Sequence, residues 1–79
     1  MRMNDEVQID WLACPEVEAV PGRCGGRPTI KGTRIEPDTI LVYEDYGYTP
    51  EQTQADYPTL AIDTIRKLRA FAHHHQLTP

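Results

Sequence analysis

The stretch that most constrains this chain is Gly22 to Ile35, which reads GRCGGRPTIKGTRI. It concentrates glycines and carries Arg23, Arg27, Lys31 and Arg34 without one acid. Glycines mark places where the backbone takes positive φ or approaches a neighbour closely. Pro28 sets its own φ and pushes Arg27 toward an extended shape. A stiff, basic, turn-rich loop is therefore expected in the middle of a small domain. The loop should feed a short strand, Thr33 to Glu36, able to pair with Val17–Val20 as a two-stranded ribbon. The flanking segment 7–12 fits either a strand, by the alternation of Val7, Ile9 and Trp11, or a helix start behind Asn4.

After Pro37 the pattern turns helical. Asp38 suits an N-cap, with a helix from Thr39 to Tyr46 that stops at Gly47. The next start is clearer. Thr49 as N-cap, Pro50 at N1 and Gln52 at N3 make a capping box. That helix should run to about Tyr57 and stop at Pro58. A last helix, about Ala61 to His75, follows a tight turn. At about 100° per residue, Ile62, Ile65, Leu68 and Ala72 share one face. Asp63, Arg66 and Ala70 lie opposite, and Arg69 borders the apolar face. The fold class expected is mostly α with a small β element: a three-helix helix-turn-helix domain, homeodomain-like or winged-helix-like, behind a two-stranded ribbon. The division expected is a polar segment 1–9, one domain 10–75 and a short tail 76–79.

Seventy-nine residues with 39% apolar content bury a modest core. A homodimer sharing a core is one expected remedy. No apolar run approaches the length of a membrane span, and no apolar leader opens the chain, so a cytoplasmic protein with no membrane contact is expected. Charge falls in blocks. Residues 36–63 hold Glu36, Asp38, Glu44, Asp45, Glu51, Asp56 and Asp63 without a base, whereas 64–79 hold Arg66, Lys67, Arg69 and three histidines without an acid. Either solvated faces cluster, or two basic segments converge on an anionic partner while the acidic block faces elsewhere.

Catalysis finds little footing. The chain has no serine, the glycine loop lacks the Gly-Lys-Ser/Thr ending of a phosphate loop, and the carboxylates sit at ordinary surface spacings. Cys14 and Cys24 are too far apart for a close zinc pair, and consecutive helical histidines point in different directions. No metal, cofactor or catalytic residue is assigned. Cys14 and Cys24 could close a hairpin, but a reducing compartment opposes it. The candidates for DNA contact are Thr64, Arg66 and Lys67 on the last helix, with Arg27 and Lys31 reaching phosphate from the loop. The competing reading pairs Asp63 with Lys67 at i,i+4 and leaves Arg66 as a solubility charge.

The run Gly25-Gly26-Arg27-Pro28-Thr29-Ile30-Lys31-Gly32-Thr33-Arg34-Ile35 resembles the signature of the bacterial family named domain of unknown function 433. Ile40, Gly47 to Glu51, Asp56 to Leu60 and Ile65 continue the resemblance, which covers roughly 10–72. It implies a type II antitoxin of the Vap kind that binds a nuclease toxin with a PIN-like fold and represses its own operon as a dimer on operator DNA. Helix 61–75 would be the recognition helix. Gly26, Pro28, Gly32, Thr33 and Arg34 would be the structural hallmark, with Arg34 buried as a bridge to the acidic helices. Glu44 and Thr53 stand where the family pattern is more usually apolar, so Glu44 needs a partner such as Arg34 or Arg69. Ala61 replaces the usual capping Ser or Thr, at a cost of about 1 kcal/mol unless Thr59 takes over. With few residues after Ala72, toxin binding would fall to the folded surface. The alternative is a protein–protein module that never touches DNA and uses the acidic 36–63 surface.

Overall fold

The computed structural model describes residues 9–74. The expected polar segment up to residue 8, the last position of the expected third helix and the tail 76–79 lie outside the described residues. Of the segment 7–12, residues 7 and 8 lie outside the described residues; over the rest, Ile9 makes an isolated bridge, and Trp11–Ala13 form one 3-10 turn. Two strands follow, β1 (Val17–Glu18) and β2 (Thr29–Ile30), then three helices, α1 (Asp38–Asp45), α2 (Pro50–Asp56) and α3 (Ile62–His74).

The ribbon exists, but its second strand lies upstream of the expected Thr33–Glu36. β1 and β2 pair antiparallel with Val17 opposite Ile30 and Glu18 opposite Thr29. The cause is the turn after Ile30. Gly32 takes φ +76°, a conformation that strains any side chain. Thr33 locks the reversal, donating its hydroxyl to the Ile30 carbonyl at 2.8 Å and accepting the Ile35 amide at 3.0 Å. The chain then doubles back, and the Ile30 amide donates to the Ile35 carbonyl at 2.8 Å. Thr29 and Ile30 are thus left to face β1, and both are buried. With only two partner residues available, β1 stops at Glu18, and Ala19 is exposed.

α1 begins one residue earlier than expected. Pro37 holds the N-cap position in αR conformation, and Asp38 lies inside the first turn. There its carboxylate favours the positive end of the helix and accepts the Trp11 indole N–H at 2.9 Å. α2 starts as the capping box predicts: the Thr49 hydroxyl accepts the Gln52 amide at 3.1 Å, and the Gln52 side chain accepts the Thr49 amide at 2.8 Å. For α3, the Ala61 carbonyl accepts the Ile65 amide at 3.1 Å, so a methyl side chain sits where a capping oxygen is usual.

The core gathers Trp11, Cys14, Val17, Ile30, Ile40, Leu60, Ile65, Leu68 and Ala72. Ile65, Leu68 and Ala72 form the buried face of α3, while Asp63, Arg66 and Ala70 are exposed opposite. Ile62 is only half-buried. Phe71 packs at the core's edge and stacks on Trp11 with ring centroids 5.9 Å apart. All three helices pack against one another. Thr53 is buried without penalty because its hydroxyl donates to the Thr49 carbonyl at 3.0 Å.

Candidate functional site

The bases singled out for DNA contact are arranged by ion pairs. On α3, Arg66 meets Glu51 of α2 at 3.1 Å. Lys67 meets Asp63 at 3.1 Å and lies 3.9 Å from Glu16. The Asp63 hydrogen bond and charge raise the Lys67 pKa above the ordinary lysine value. Thr64 is half-buried on the same helix. In the loop, Arg27 pairs with Glu36 at 2.8 Å. Lys31 is exposed and has no ion pair among the described residues. Glu16 links two of these positions: its carbonyl accepts the Lys31 amide at 2.9 Å, and its carboxylate is the one facing Lys67. Lys31 and Lys67 therefore share an edge of the domain, whereas Arg27 is tied to Glu36 at the approach to α1.

The hallmark loop is braced by Glu18 as well as by Thr33. Gly32 donates its amide to the Glu18 carboxylate at 3.0 Å, and Arg23 reaches the same oxygen at 2.8 Å. The Gly32 amide is the main cause that lowers the Glu18 pKa; partial burial opposes it, and Arg23 and Lys31 add to the lowering. Gly26 takes φ +81°, and Pro28 is half-buried. Arg34 departs from the expectation of a buried bridge. It is exposed, it makes no ion pair among the described residues, and its carbonyl accepts the Cys24 thiol at 3.4 Å. The tight 30–35 turn explains this, since Ile35 is the residue packed against the core.

The bridging role belongs to Arg69. Its guanidinium lies 3.3 Å from Glu44, with side chains 20% and 24% exposed. His73, one turn further along α3, reaches the same carboxylate at 3.0 Å. Partial burial alone would raise the Glu44 pKa, but the His73 hydrogen bond and the Arg69 charge outweigh it and hold it below the ordinary value. The polar residue on the inner side of α1 is thus satisfied by α3. Cys14 is buried and Cys24 half-buried, both as free thiols.

A second surface was not singled out residue by residue from sequence. α1 leaves Val42 48% and Tyr46 78% exposed, and Tyr48 beyond it 39% exposed. Tyr43, Tyr46, Tyr48 and Val42 line a hollow of about 220 Å³. Val42 also borders a larger cleft, about 550 Å³, lined as well by Arg34, Ile35 and Tyr57. Tyr43 stacks edge-on against both Tyr48 and Tyr57 and donates its hydroxyl to Asp56 at 2.8 Å. That hydrogen bond to a carboxylate, reinforced by the neighbouring Tyr57 hydroxyl, which also favours the protonated phenol, raises the Tyr43 pKa far above the usual phenol value. The sequence signal for this surface was the tyrosine run Tyr43, Tyr46, Tyr48 around Gly47. Among the described residues no helix is long and apolar enough to cross a membrane.

Comparison with known proteins places this arrangement. The chain is 37% identical over 70 residues to the uncharacterized protein Rv2308 of Mycobacterium tuberculosis, in an alignment covering 81% of this chain and 29% of that one. It therefore spans under a third of that relative's length. A crystal structure of a DUF433 member protein from Anabaena variabilis shares the fold, with a TM-score of 0.62 at 27% identity over 75% of this chain and 58% of that chain. A family model described as protein of unknown function (DUF433) matches residues 17–72, from the first strand through nearly all of α3. Because that match takes in the ribbon, the glycine loop and the helices together, the chain belongs to the DUF433 family.

Proposed function

We propose that this domain is a protein-binding module of the antitoxin kind, engaging its partner through the acidic, tyrosine-lined surface of residues 36–63 and carrying no catalysis of its own. The observation that supports this is the exposure of Val42, Tyr46 and Tyr48 together beside two hollows. Contiguous exposed apolar and aromatic side chains rimmed by polar residues mark interaction sites, and tyrosine anchors bind well because few rotors are frozen. The partner implied by the family resemblance is a PIN-like nuclease toxin in the cytoplasm. The test is calorimetric titration of the purified domain with the product of the neighbouring reading frame. Saturable binding that is lost in Val42→Asp supports the reading, and absence of heat at protein concentrations of about 100 μM refutes it.

A second reading, operator DNA binding by a homodimer, is favoured by one observation. Arg66 and Lys67 lie on the exposed side of α3, beyond a capped helix and a tight turn, with Lys31 at the same edge. Their pairs with Glu51 and Asp63 are largely exposed, where solvent and salt screen the attraction, so phosphate can displace them. A salt series of binding to the domain's own upstream DNA tests this. Affinity that falls with salt, and falls further in Arg66→Ala with Lys67→Ala, supports it; no binding at low salt refutes it. Light scattering tests the dimer separately.

A further inference from the structure

The two hollows meet at Val42, which borders both. Together they form a groove across α1 with apolar material along its length: Ile35 and Tyr57 on one side of Val42, Tyr46 and Tyr48 on the other. The charges beside this groove are one-sided. Asp38 lies one turn before Val42, and Asp45 lies one turn after it. Asp56 is held against the groove by the Tyr43 hydroxyl. All three are exposed, and none forms an ion pair among the described residues. Glu44, Glu51 and Glu36, by contrast, are already matched by Arg69, Arg66 and Arg27. Three carboxylates beside the groove thus keep their charge without a cation among the described residues, Asp38 and Asp56 accepting only neutral donors. Among the described residues the sole base lining it is Arg34, at one end.

A second copy of this chain is a poor occupant. Docking groove to groove would bring three unmatched carboxylates from each copy together against one guanidinium from each, and like charges at an interface oppose association. A partner carrying its own cations meets no such cost.

Resting on the protein-binding reading above, we infer that the groove takes a cationic amphipathic helix of a partner protein. Two apolar side chains on successive turns would fill the hollows on either side of Val42, and flanking Lys or Arg residues would meet Asp38, Asp45 and Asp56. This is the helix-in-groove mode, in which apolar anchors at i and i+3 or i+4 supply affinity and the charges supply orientation and encounter rate. Arg34 sets a direction, because the helix end above it must lack a cation or present a carboxylate.

The experiment uses the full chain, labelled with ¹⁵N, and three synthetic helices of about 14 residues. One is built from Leu and Lys, one from Leu and Glu in the same pattern, and one from Lys with Gln in place of Leu. The expected result is saturable shifts at Val42, Tyr46 and Tyr48 with the Leu/Lys helix, and binding about tenfold weaker for each of the other two. Tyr46→Ala and the triple change of Asp38, Asp45 and Asp56 to Asn should each weaken the Leu/Lys helix by about tenfold. Retained spectra of the variants guard against unfolding.

Equal or tighter binding of the Leu/Glu helix at the same residues overturns the cationic partner and leaves the protein-binding surface standing. Shifts confined to α3 or to the 22–35 loop overturn the groove as the site. Shifts at Val42 and Tyr46 on concentrating the protein alone assign the groove to a second copy and overturn the inference. No shift at the groove with any helix at about 1 mM overturns it as well; calorimetry with the neighbouring gene product then decides whether the broader reading survives.

Discussion

Removing the charge on Glu44 and on Arg69, singly and together, asks how a carboxylate is tolerated against the helical core. At 3.3 Å and an effective dielectric of about 20, their direct attraction is about 5 kcal/mol. Desolvation of both groups and the ordering of two long side chains offset most of it. A net coupling of about 1 kcal/mol is expected for a pair this enclosed, above the usual exposed-pair value. The cycle Glu44→Gln, Arg69→Met and the double variant should therefore be non-additive by about 1 kcal/mol at pH 7, or about 4–8 °C in melting temperature for a domain of this size. Urea unfolding followed by fluorescence of Trp11, the only tryptophan, reads it directly. The pH dependence has a fixed sign. The folded-state pKa of Glu44 is depressed, so the unfolded chain binds more protons across the acid range. The stabilisation is complete above the unfolded carboxylate value, near 4.5, and disappears as pH falls through the lower folded value. The coupling should shrink toward zero as the pH falls through the lowered folded-state value, and Glu44→Gln should flatten the stability profile over that acid range. A coupling below about 0.3 kcal/mol at pH 7, or one unchanged at acid pH, would refute the assignment of Arg69 as the compensating charge.

Three further perturbations follow from the same packing. Ala61→Ser places an acceptor at the start of α3 and should stabilise the domain by about 1 kcal/mol in urea unfolding; a loss of stability would mean that the Ala61 backbone is unsuited to a cap. Thr29 has a buried hydroxyl with no hydrogen-bond partner among the described residues, so Thr29→Val should stabilise by about 1 kcal/mol, and destabilisation would show that the hydroxyl is satisfied in solution. Leu68 is fully buried on α3, and Leu68→Ala should cost about 2–5 kcal/mol, enough to leave a domain this small largely unfolded at 37 °C by circular dichroism.

What could be read from sequence divides by range. The start of α2 was legible because a capping box is local: Thr49, Pro50 and Gln52 contain the whole signal. The buried face of α3 was legible because 3.6-residue periodicity survives in Ile65, Leu68 and Ala72. The ribbon was legible in kind but not in register, because Gly32 and Thr33 make a reversal that outweighs the strand character of Thr33–Glu36. Arg34 against Arg69 was a choice between two long side chains reaching the same acidic helices, and only the tertiary packing decides it. The exposed Val42 and Tyr46 were invisible for a related reason. α1 carries Ile40, Leu41, Val42 and Tyr43 in one continuous run, which puts apolar side chains all round the helix, so which face meets α2 and α3 is not written in its own eight residues.

The stacking of Trp11 on Phe71 has a consequence for how the two ends of the helical core are held. These rings belong to the first turn and the last helix of the described residues, and their centroids are 5.9 Å apart. The same indole donates to Asp38 at the start of α1 at 2.9 Å. One side chain therefore ties the segment before the ribbon to the first and third helices at once, so loosening either helix frees the indole and the strength of this corner is shared among all three.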